Sequence, residues 1–152
     1  MNDVTGFFQA AEPELSERFL KDGYVVMAVE NLGNLEQIRA MVVASAATWL
    51  GVESGEPGQF LNSIHEQIAV ERLNDLRLNV IEKINAESSL RPKYYSLARE
   101  SLAMLVGNEL AMQMRLNLSI QLPDDDSSLL PIHADVWSGD SPFEVVVWLP
   151  LV

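Results

Sequence analysis

Cysteine is absent from the 152-residue chain, and histidine occurs only twice. The lack of cysteine excludes disulfide bonds, thiolate metal sites and cysteine nucleophiles together. A metal site in this chain must therefore draw its protein ligands from histidine and carboxylate side chains, which are the ligands of several divalent metals including iron(II).

Basic residues are scarce as well. Ten lysines and arginines stand against 22 aspartates and glutamates, so the formal net charge is −12. Such an acidic surface repels both the phosphate backbone of nucleic acids and the anionic surface of a membrane. The composition therefore argues against nucleic-acid and membrane partners.

Long apolar runs are also missing. The longest apolar stretches, such as residues 40–50, are far shorter than a bilayer requires and are interrupted by Ser45 and Thr48. The N-terminal residues carry no basic region followed by an apolar one, so they do not resemble a secretory signal. We therefore expect a cytoplasmic protein, and the length together with 48% apolar residues predicts a single domain over residues 1–152.

Helical signals dominate residues 1–107. Apolar residues recur at threes and fours, and proline, asparagine or glycine stands where a helix would begin or end. The chain opens with a predicted helix followed by a short β-branched and aromatic strand. The predicted helices cover residues 13–20, 34–50 with Asn34 as N-cap and Gly51 at its end, 60–86 with a break near Val70, and 92–106, and the first strand covers residues 24–29. In the third of these helices one apolar stripe is formed by Leu73, Leu76, Val80 and Ile84.

After Gly107 the period changes from helical to alternating. Between residues 112 and 121 apolar and polar residues alternate, which predicts a strand with one buried face. Residues 129–137 are predicted to be extended, and residues 143–151 to form a strand buried on both faces. Residues 108–152 are therefore expected to be rich in β-structure.

One short motif, His133-Ala134-Asp135, carries a mechanism. In an extended strand residues i and i+2 project from the same face, so the imidazole and the carboxylate could bind one metal ion together. With a distant second histidine they would form the 2-His-1-carboxylate triad that favours iron(II). A surface pair is the plainer interpretation of the triplet alone, so its surroundings must decide.

Those surroundings resemble a known family. Residues 115–121 (RLNLSIQ) and 129–151 (LLPIHADVWSGDSPFEVVVWLPL), with weaker likeness at 107–113 (GNELAMQ) and 60–65 (FLNSIH), resemble the iron(II)- and 2-oxoglutarate-dependent oxygenases of bacterial surface-carbohydrate gene clusters, relatives of the phytanoyl-CoA dioxygenases. The resemblance implies an α+β fold: a partial double-stranded β-helix, or jelly roll, with an N-terminal helical portion packed outside it.

The resemblance also implies roles for particular residues. His133 and Asp135 would be the first two iron ligands, and Asn117 and Gln121 on the preceding strand would contact 2-oxoglutarate. Trp137 could floor a pocket for a small polar or sugar-linked substrate, or could belong to the core. Asp140 could line that pocket, although its position in a turn explains it equally well.

The chain departs from the family pattern at the distal histidine. The other histidine, His65, lies in a predicted helix upstream of the motif, and no distal ligand or basic 2-oxoglutarate anchor follows residue 152. We therefore expect a C-terminally truncated domain. Two hypotheses stay open: an iron(II) and 2-oxoglutarate dioxygenase, or a catalytically inactive fragment that forms a homodimer or larger homo-oligomer through its exposed last strand.

Overall fold

The computed structural model describes residues 12–124, 131–133 and 135–152, without the side chains of Glu12 and Ser138. Six α-helices lie in this part of the chain, all of them before residue 107. They are α1 (Glu12–Asp22), α2 (Leu32–Leu50), α3 (Pro57–Asn62), α4 (Val70–Ala86), α5 (Leu90–Tyr95) and α6 (Arg99–Val106), and two 3-10 turns cover Ile64–Glu66 and Asp135–Ser138.

Helix α2 is the central element because it packs against α3, α4 and α5. Its N-cap is Asn31, whose side-chain oxygen accepts a 2.9 Å hydrogen bond from the backbone N–H of Asn34, so the prediction that Asn34 itself caps the helix was wrong. The helix ends as expected at Gly51, which has a φ of 72°. Glycine adopts this left-handed conformation without the clash that a Cβ would cause.

The predicted break near Val70 is confirmed, because α3 and a 3-10 turn precede α4, which begins at Val70. The predicted apolar stripe of α4 faces α2 and supplies two of the most deeply buried side chains, Leu76 and Val80. The core joins this stripe to apolar residues of α2, of the following helices and of the later part of the chain. Its buried members are Leu35, Ile38, Val42, Val43, Ala46, Ala47, Phe60, Ile64, Ile68, Leu73, Leu76, Val80, Ile84, Leu90, Leu97, Leu116 and Leu122.

The predicted helix at residues 92–106 is divided in two. Helix α5 ends at Tyr95 and α6 begins at Arg99, and the buried Leu97 lies between them. The backbone carbonyl of Leu97 accepts a 3.0 Å hydrogen bond from the N–H of Glu30. This interruption places the amino end of α6 against the Glu30 side chain, a tertiary contact that helical periodicity alone does not predict.

The jelly roll and double-stranded β-helix expected from the sequence are wrong for this structure. The described residues contain helix and irregular backbone but no strand, so they form no sheet and the α+β class is not observed. The predicted strands at residues 24–29 and 112–121 lack any backbone ladder in the part of the chain that the structure describes. A strand requires a paired neighbour, and an alternating sequence cannot supply one by itself.

Two extended segments alternate between more buried and more exposed side chains, as predicted for the first of them apart from Met114, which is 78% exposed. In the first extended segment, residues 109–122, Leu116 and Leu122 are buried while the neighbouring odd-numbered residues are exposed. In the second extended segment, residues 144–152, odd-numbered side chains are half-buried and even-numbered ones are exposed. The prediction that residues 143–151 are buried on both faces was therefore wrong, as Trp148 is 78% exposed.

The predicted extended run at residues 129–137 is only partly described. Residues 129, 130 and 134 lie outside the described residues, and the chain turns into the 3-10 helix at Asp135 instead of continuing as a strand. The single-domain organisation and the cytoplasmic location remain predictions. No helix in the described ranges has both the length and the apolar character needed to span a membrane.

Candidate functional site

The side chains of His133 and Asp135 meet, although not through the predicted strand geometry. Nε2 of His133 lies 3.4 Å from Oδ1 of Asp135, and about half of each side chain is accessible to solvent. Asp135 is the first residue of the 3-10 helix that ends at Ser138, so its backbone is not that of a β-strand. The expectation that residues i and i+2 share one face of a β-strand was therefore wrong, while the proximity it predicted is present.

The other ring nitrogen of His133 determines which atom is available for binding. Nδ1 lies 2.8 Å from the backbone carbonyl oxygen of Pro131. A carbonyl oxygen can only accept, so Nδ1 must carry the proton of this hydrogen bond. In the neutral imidazole Nε2 then presents its lone pair, the arrangement in which histidines commonly bind metal ions through Nε2.

A lone pair that faces a carboxylate oxygen at 3.4 Å is unfavourable unless a positive charge intervenes. Two arrangements satisfy the contact. Either Nε2 is also protonated and the imidazolium forms an ion pair with Asp135, or a cation lies between the two groups. Both arrangements are exposed to water, so the ion pair by itself would contribute little to stability.

The backbone around the pair is held by turn hydrogen bonds. The N–H of Gly139 donates to the carbonyl of Val136 at 3.2 Å, and the N–H of Asp140 donates to the carbonyl of Asp135 at 3.4 Å. Asp140 is thus placed by the turn, with an exposed side chain. Trp137 is 75% exposed and belongs to no core, so the interpretation of this tryptophan as a core residue was wrong.

The proposed 2-oxoglutarate contacts lie on the first extended segment. Asn117 and Gln121 are both exposed and point away from the core, in the polar row that the alternation predicted. No hydrogen bond in the described ranges joins either side chain to His133 or Asp135. The structure therefore leaves these two residues accessible without bringing them into contact with the candidate metal ligands.

No third metal ligand accompanies the pair among residues 12–124, 131–133 and 135–152, where no cluster of three or more histidine and acidic side chains is found. A second imidazole–carboxylate contact exists in the helical part, where Nε2 of His65 lies 3.9 Å from Oε1 of Glu66. It is longer and comes from adjacent residues on a 3-10 turn. Its similar chemistry makes it a useful reference for the pair at His133.

Neither of two depressions on the helical surface involves the candidate pair. A cavity of about 290 Å³ is lined by residues of the 52–67 region, and one of about 450 Å³ lies between α2 and α4 beside Trp49. The guanidinium of Arg72 covers the Trp49 ring at 4.5 Å from its centroid. Glu56, beside the smaller cavity, caps α3 and needs no ligand to explain its position.

Sequence reasoning missed the helical side chains that hold the extended segments. Asn85 of α4 pairs with both backbone groups of Leu116: its amide nitrogen donates to the Leu116 carbonyl, and its oxygen accepts from the Leu116 N–H, each at 2.8 Å. The guanidinium of Arg91 donates to the carbonyls of Met112 and Gln113. A polar residue beside the apolar stripe of α4 was the available signal, but its partner is distant in sequence.

The second extended segment is held in the same way. The Tyr94 hydroxyl donates to the Val147 carbonyl at 2.6 Å, and Nε of Arg39 donates to the Leu151 carbonyl at 2.8 Å. Burial raises the pKa of the Tyr94 hydroxyl, which keeps it protonated as a donor. Side chains of the helices thus replace part of the hydrogen bonding that a neighbouring strand would supply.

No protein family, curated protein or solved structure is significantly similar to this chain. The likeness to the 2-oxoglutarate oxygenases consequently remains a prediction from the sequence at residues 60–65 and 107–151.

Proposed function

We propose that this chain supplies His133 and Asp135 as ligands to an iron(II)- and 2-oxoglutarate-dependent oxygenase site that hydroxylates a small polar or sugar-linked substrate. The observation that carries the proposal is the His133 imidazole, whose Nδ1 is engaged by the Pro131 carbonyl while Nε2 faces the Asp135 carboxylate at 3.4 Å. At this separation one divalent metal ion could be bound by both the imidazole nitrogen and the carboxylate oxygen.

The pair fits two of the three protein positions of such a site. Histidine and aspartate are suitable donors for iron(II), but the described residues bring no third donor to them. When bound, iron(II) with 2-oxoglutarate supplies the activation of dioxygen for C–H hydroxylation. This chain's contribution is to bind and orient: Pro131 sets the tautomer of His133, and the 3-10 turn positions Asp135.

Anaerobic titration of the full chain with iron(II), with and without 2-oxoglutarate, tests the proposal. We expect His133→Ala and Asp135→Asn each to weaken iron(II) binding by about tenfold or more, because each removes one ligand. His65→Ala is the matched control, since it removes the imidazole of the other imidazole–carboxylate contact. Equal effects of His65→Ala and His133→Ala, or unchanged binding after loss of both His133 and Asp135, would contradict the assignment.

Nitrogen NMR of the histidine rings, recorded before and after addition of iron(II), distinguishes a metal site from the ion pair. Added iron(II) should broaden the His133 signals before those of His65, because His133 is the proposed ligand. His133 signals that do not respond to iron(II) would favour the ion pair alone.

The cosubstrate role of Asn117 and Gln121 is tested separately. Asn117→Ala and Gln121→Ala should weaken the binding of 2-oxoglutarate to the iron-loaded chain without changing iron(II) affinity, since they touch only the cosubstrate. Ser119→Ala is the matched control, because Ser119 lies between them in the same exposed row. A loss for Ser119→Ala as large as that for Asn117→Ala would remove the specific assignment.

A second candidate is an inactive chain that associates with itself. Its support is the second extended segment, in which Val146 and Trp148 are 50% and 78% exposed on backbone without a paired strand in the described ranges. Sedimentation at increasing protein concentration should then show a monomer–dimer equilibrium. A monomer throughout the micromolar range would exclude this candidate.

A further inference from the structure

The two edges of the second extended segment differ in hydrogen bonding. In a β-strand the N–H and C=O of one residue point to the same edge, and successive residues alternate between edges. The carbonyls of Val147 and Leu151 already accept hydrogen bonds from Tyr94 and Arg39. Both are odd-numbered, so the edge formed by the odd-numbered residues faces the helices.

The opposite edge carries the backbone groups of the even-numbered residues. Among the described residues, no backbone hydrogen bond involves Val146 or Trp148, whereas the N–H of Glu144 donates to the Ser141 carbonyl at 3.0 Å. Pro150 has no N–H to donate. In residues 144–150 the open edge therefore offers complete pairs of donor and acceptor at Val146 and Trp148, flanked on each side by a residue without a free donor.

We propose that this edge pairs antiparallel with the same edge of a second copy of the chain, with Val146 of one copy opposite Trp148 of the other. The proposal rests on the self-association candidate above and specifies its interface. In this register Val146 and Trp148 exchange both of their backbone hydrogen bonds across the dimer axis. The same register places Glu144 opposite Pro150, so the two residues that lack a free donor face each other and end the ladder.

Side chains and charge favour the same arrangement. Valine opposite tryptophan is a β-branched and aromatic pair, a combination that stabilises antiparallel strands. Glu144 is the only charged residue in the segment. Antiparallel pairing keeps the two Glu144 carboxylates roughly 20 Å apart, beyond the screening length of about 8 Å, whereas parallel in-register pairing would place them about 5 Å apart.

The remaining charge of the chain opposes association. Each copy carries a formal charge of −12, so two copies repel one another over the whole surface. Salt screens this repulsion more than it weakens an uncharged strand pairing. We therefore expect the dimer to tighten as the salt concentration rises, the opposite of an interface held by ion pairs.

Paired proline substitutions test the assigned edge. Val146→Pro removes the N–H at the centre of the open edge, once in each copy, and should weaken dimerisation by about tenfold or more. Val145→Pro removes an N–H from the other edge and should leave the dimer within about threefold of the original affinity. Far-UV circular dichroism of both variants checks that the helices, which lie outside this segment, are retained.

Amide hydrogen exchange resolved by NMR gives a second readout on the unaltered chain. Raising the concentration into the dimer range should slow exchange at Val146 and Trp148, and leave Val147 and Leu149 unchanged. A chain that stays monomeric overturns self-association and this interface together. A dimer that is weakened equally by Val145→Pro and Val146→Pro, or protected at odd-numbered amides, overturns the edge assignment while self-association stands.

Discussion

Asn85 provides the sharpest test of how the extended segments are held. Its amide group pairs with the N–H and C=O of Leu116, a residue only 6% exposed, and also donates to the Ile81 carbonyl at 2.7 Å. Asn85→Ala would leave both backbone groups of Leu116 buried without partners. Two such groups cost about 2–4 kcal/mol, and the better helix propensity of alanine returns about 0.5 kcal/mol, so we expect a net loss of roughly 2–3 kcal/mol.

Urea denaturation followed by circular dichroism measures this loss as a lower transition midpoint at an unchanged slope. Asn74→Ala on the same helix is the matched control, because Asn74 is exposed and accepts only a surface hydrogen bond from Arg77. That variant should stay within about 0.5 kcal/mol of the original protein. Equal midpoints for the Asn85→Ala and Asn74→Ala variants would refute the idea that Asn85 holds the first extended segment.

A conservative variant separates the two hydrogen bonds. Asn85→Asp keeps an acceptor for the Leu116 N–H but replaces the donor with a carboxylate that faces the Leu116 carbonyl. At neutral pH we expect it to destabilise the chain at least as much as Asn85→Ala, because like partial charges then meet in a partly buried position. A milder effect than that of alanine would show that only the N–H of Leu116 matters.

Three further predictions concern other parts of the helical region. Partial burial raises the pKa of Glu30, but the hydrogen bonds it accepts at the amino end of α6, including that from Ser101, outweigh burial and lower the pKa below its ordinary value of 4.5. The contribution of the Glu30 carboxylate to the free energy of unfolding is therefore present above about pH 4.5 and is lost as the pH falls through the lower pKa of the folded state. In urea titrations, Glu30→Gln should therefore destabilise the chain at neutral pH but not at strongly acidic pH. Tyr94→Phe should lower the free energy of unfolding by about 1 kcal/mol and speed amide exchange in the second extended segment, because it removes the hydrogen bond to the Val147 carbonyl. An unchanged exchange rate would contradict the idea that Tyr94 holds this segment. Gly51→Ala should raise the strain at φ 72° and cost about 1 kcal/mol, whereas Gly33→Ala within α2 should stabilise by up to about 1 kcal/mol in thermal denaturation; equal shifts would refute the argument from backbone conformation.

The helical part of the chain was largely predictable because its signals are local. The 3.6-residue periodicity of α4 identified Leu73, Leu76, Val80 and Ile84 as its buried stripe, and all four are buried. Gly51 identified the end of α2 because only a few residue types tolerate its conformation. The division between α5 and α6 was missed because Leu97 and Glu30 stabilise it through a contact between distant parts of the chain.

The predicted strands failed for a different reason. Alternation correctly indicated which residues of 112–121 face the core, except Met114, which is 78% exposed, but a sheet also requires hydrogen bonds from a neighbouring strand. Here the side chains of Asn85 and Arg91 supply some of these hydrogen bonds to the first extended segment. The side chains of Tyr94 and Arg39 do the same for the second extended segment. The alternating sequence by itself does not indicate which side chains will donate these hydrogen bonds.

At the candidate site one prediction was correct although the structural reason given for it was wrong. The spacing of His133 and Asp135 correctly indicated that their side chains could meet, and the reason given for it, a continuous strand, was wrong. The hydrogen bond from Nδ1 to Pro131, which makes Nε2 available, depends on the local turn and was not foreseen. The iron(II) and 2-oxoglutarate roles of this pair, and of Asn117 and Gln121, remain predictions for the titrations described above.

The sequence by itself determined where this chain is helical, most of the alternation between core and solvent at residues 112–121, and that the side chains of His133 and Asp135 could meet, since each of these depends on neighbours a few positions away. The tertiary structure decided which side chains hold the two extended segments and where the predicted helix at residues 92–106 is divided. Those outcomes depend on hydrogen-bond partners up to 112 positions apart, as between Arg39 and Leu151. Groups so distant in sequence lie within hydrogen-bond distance only in the packed structure.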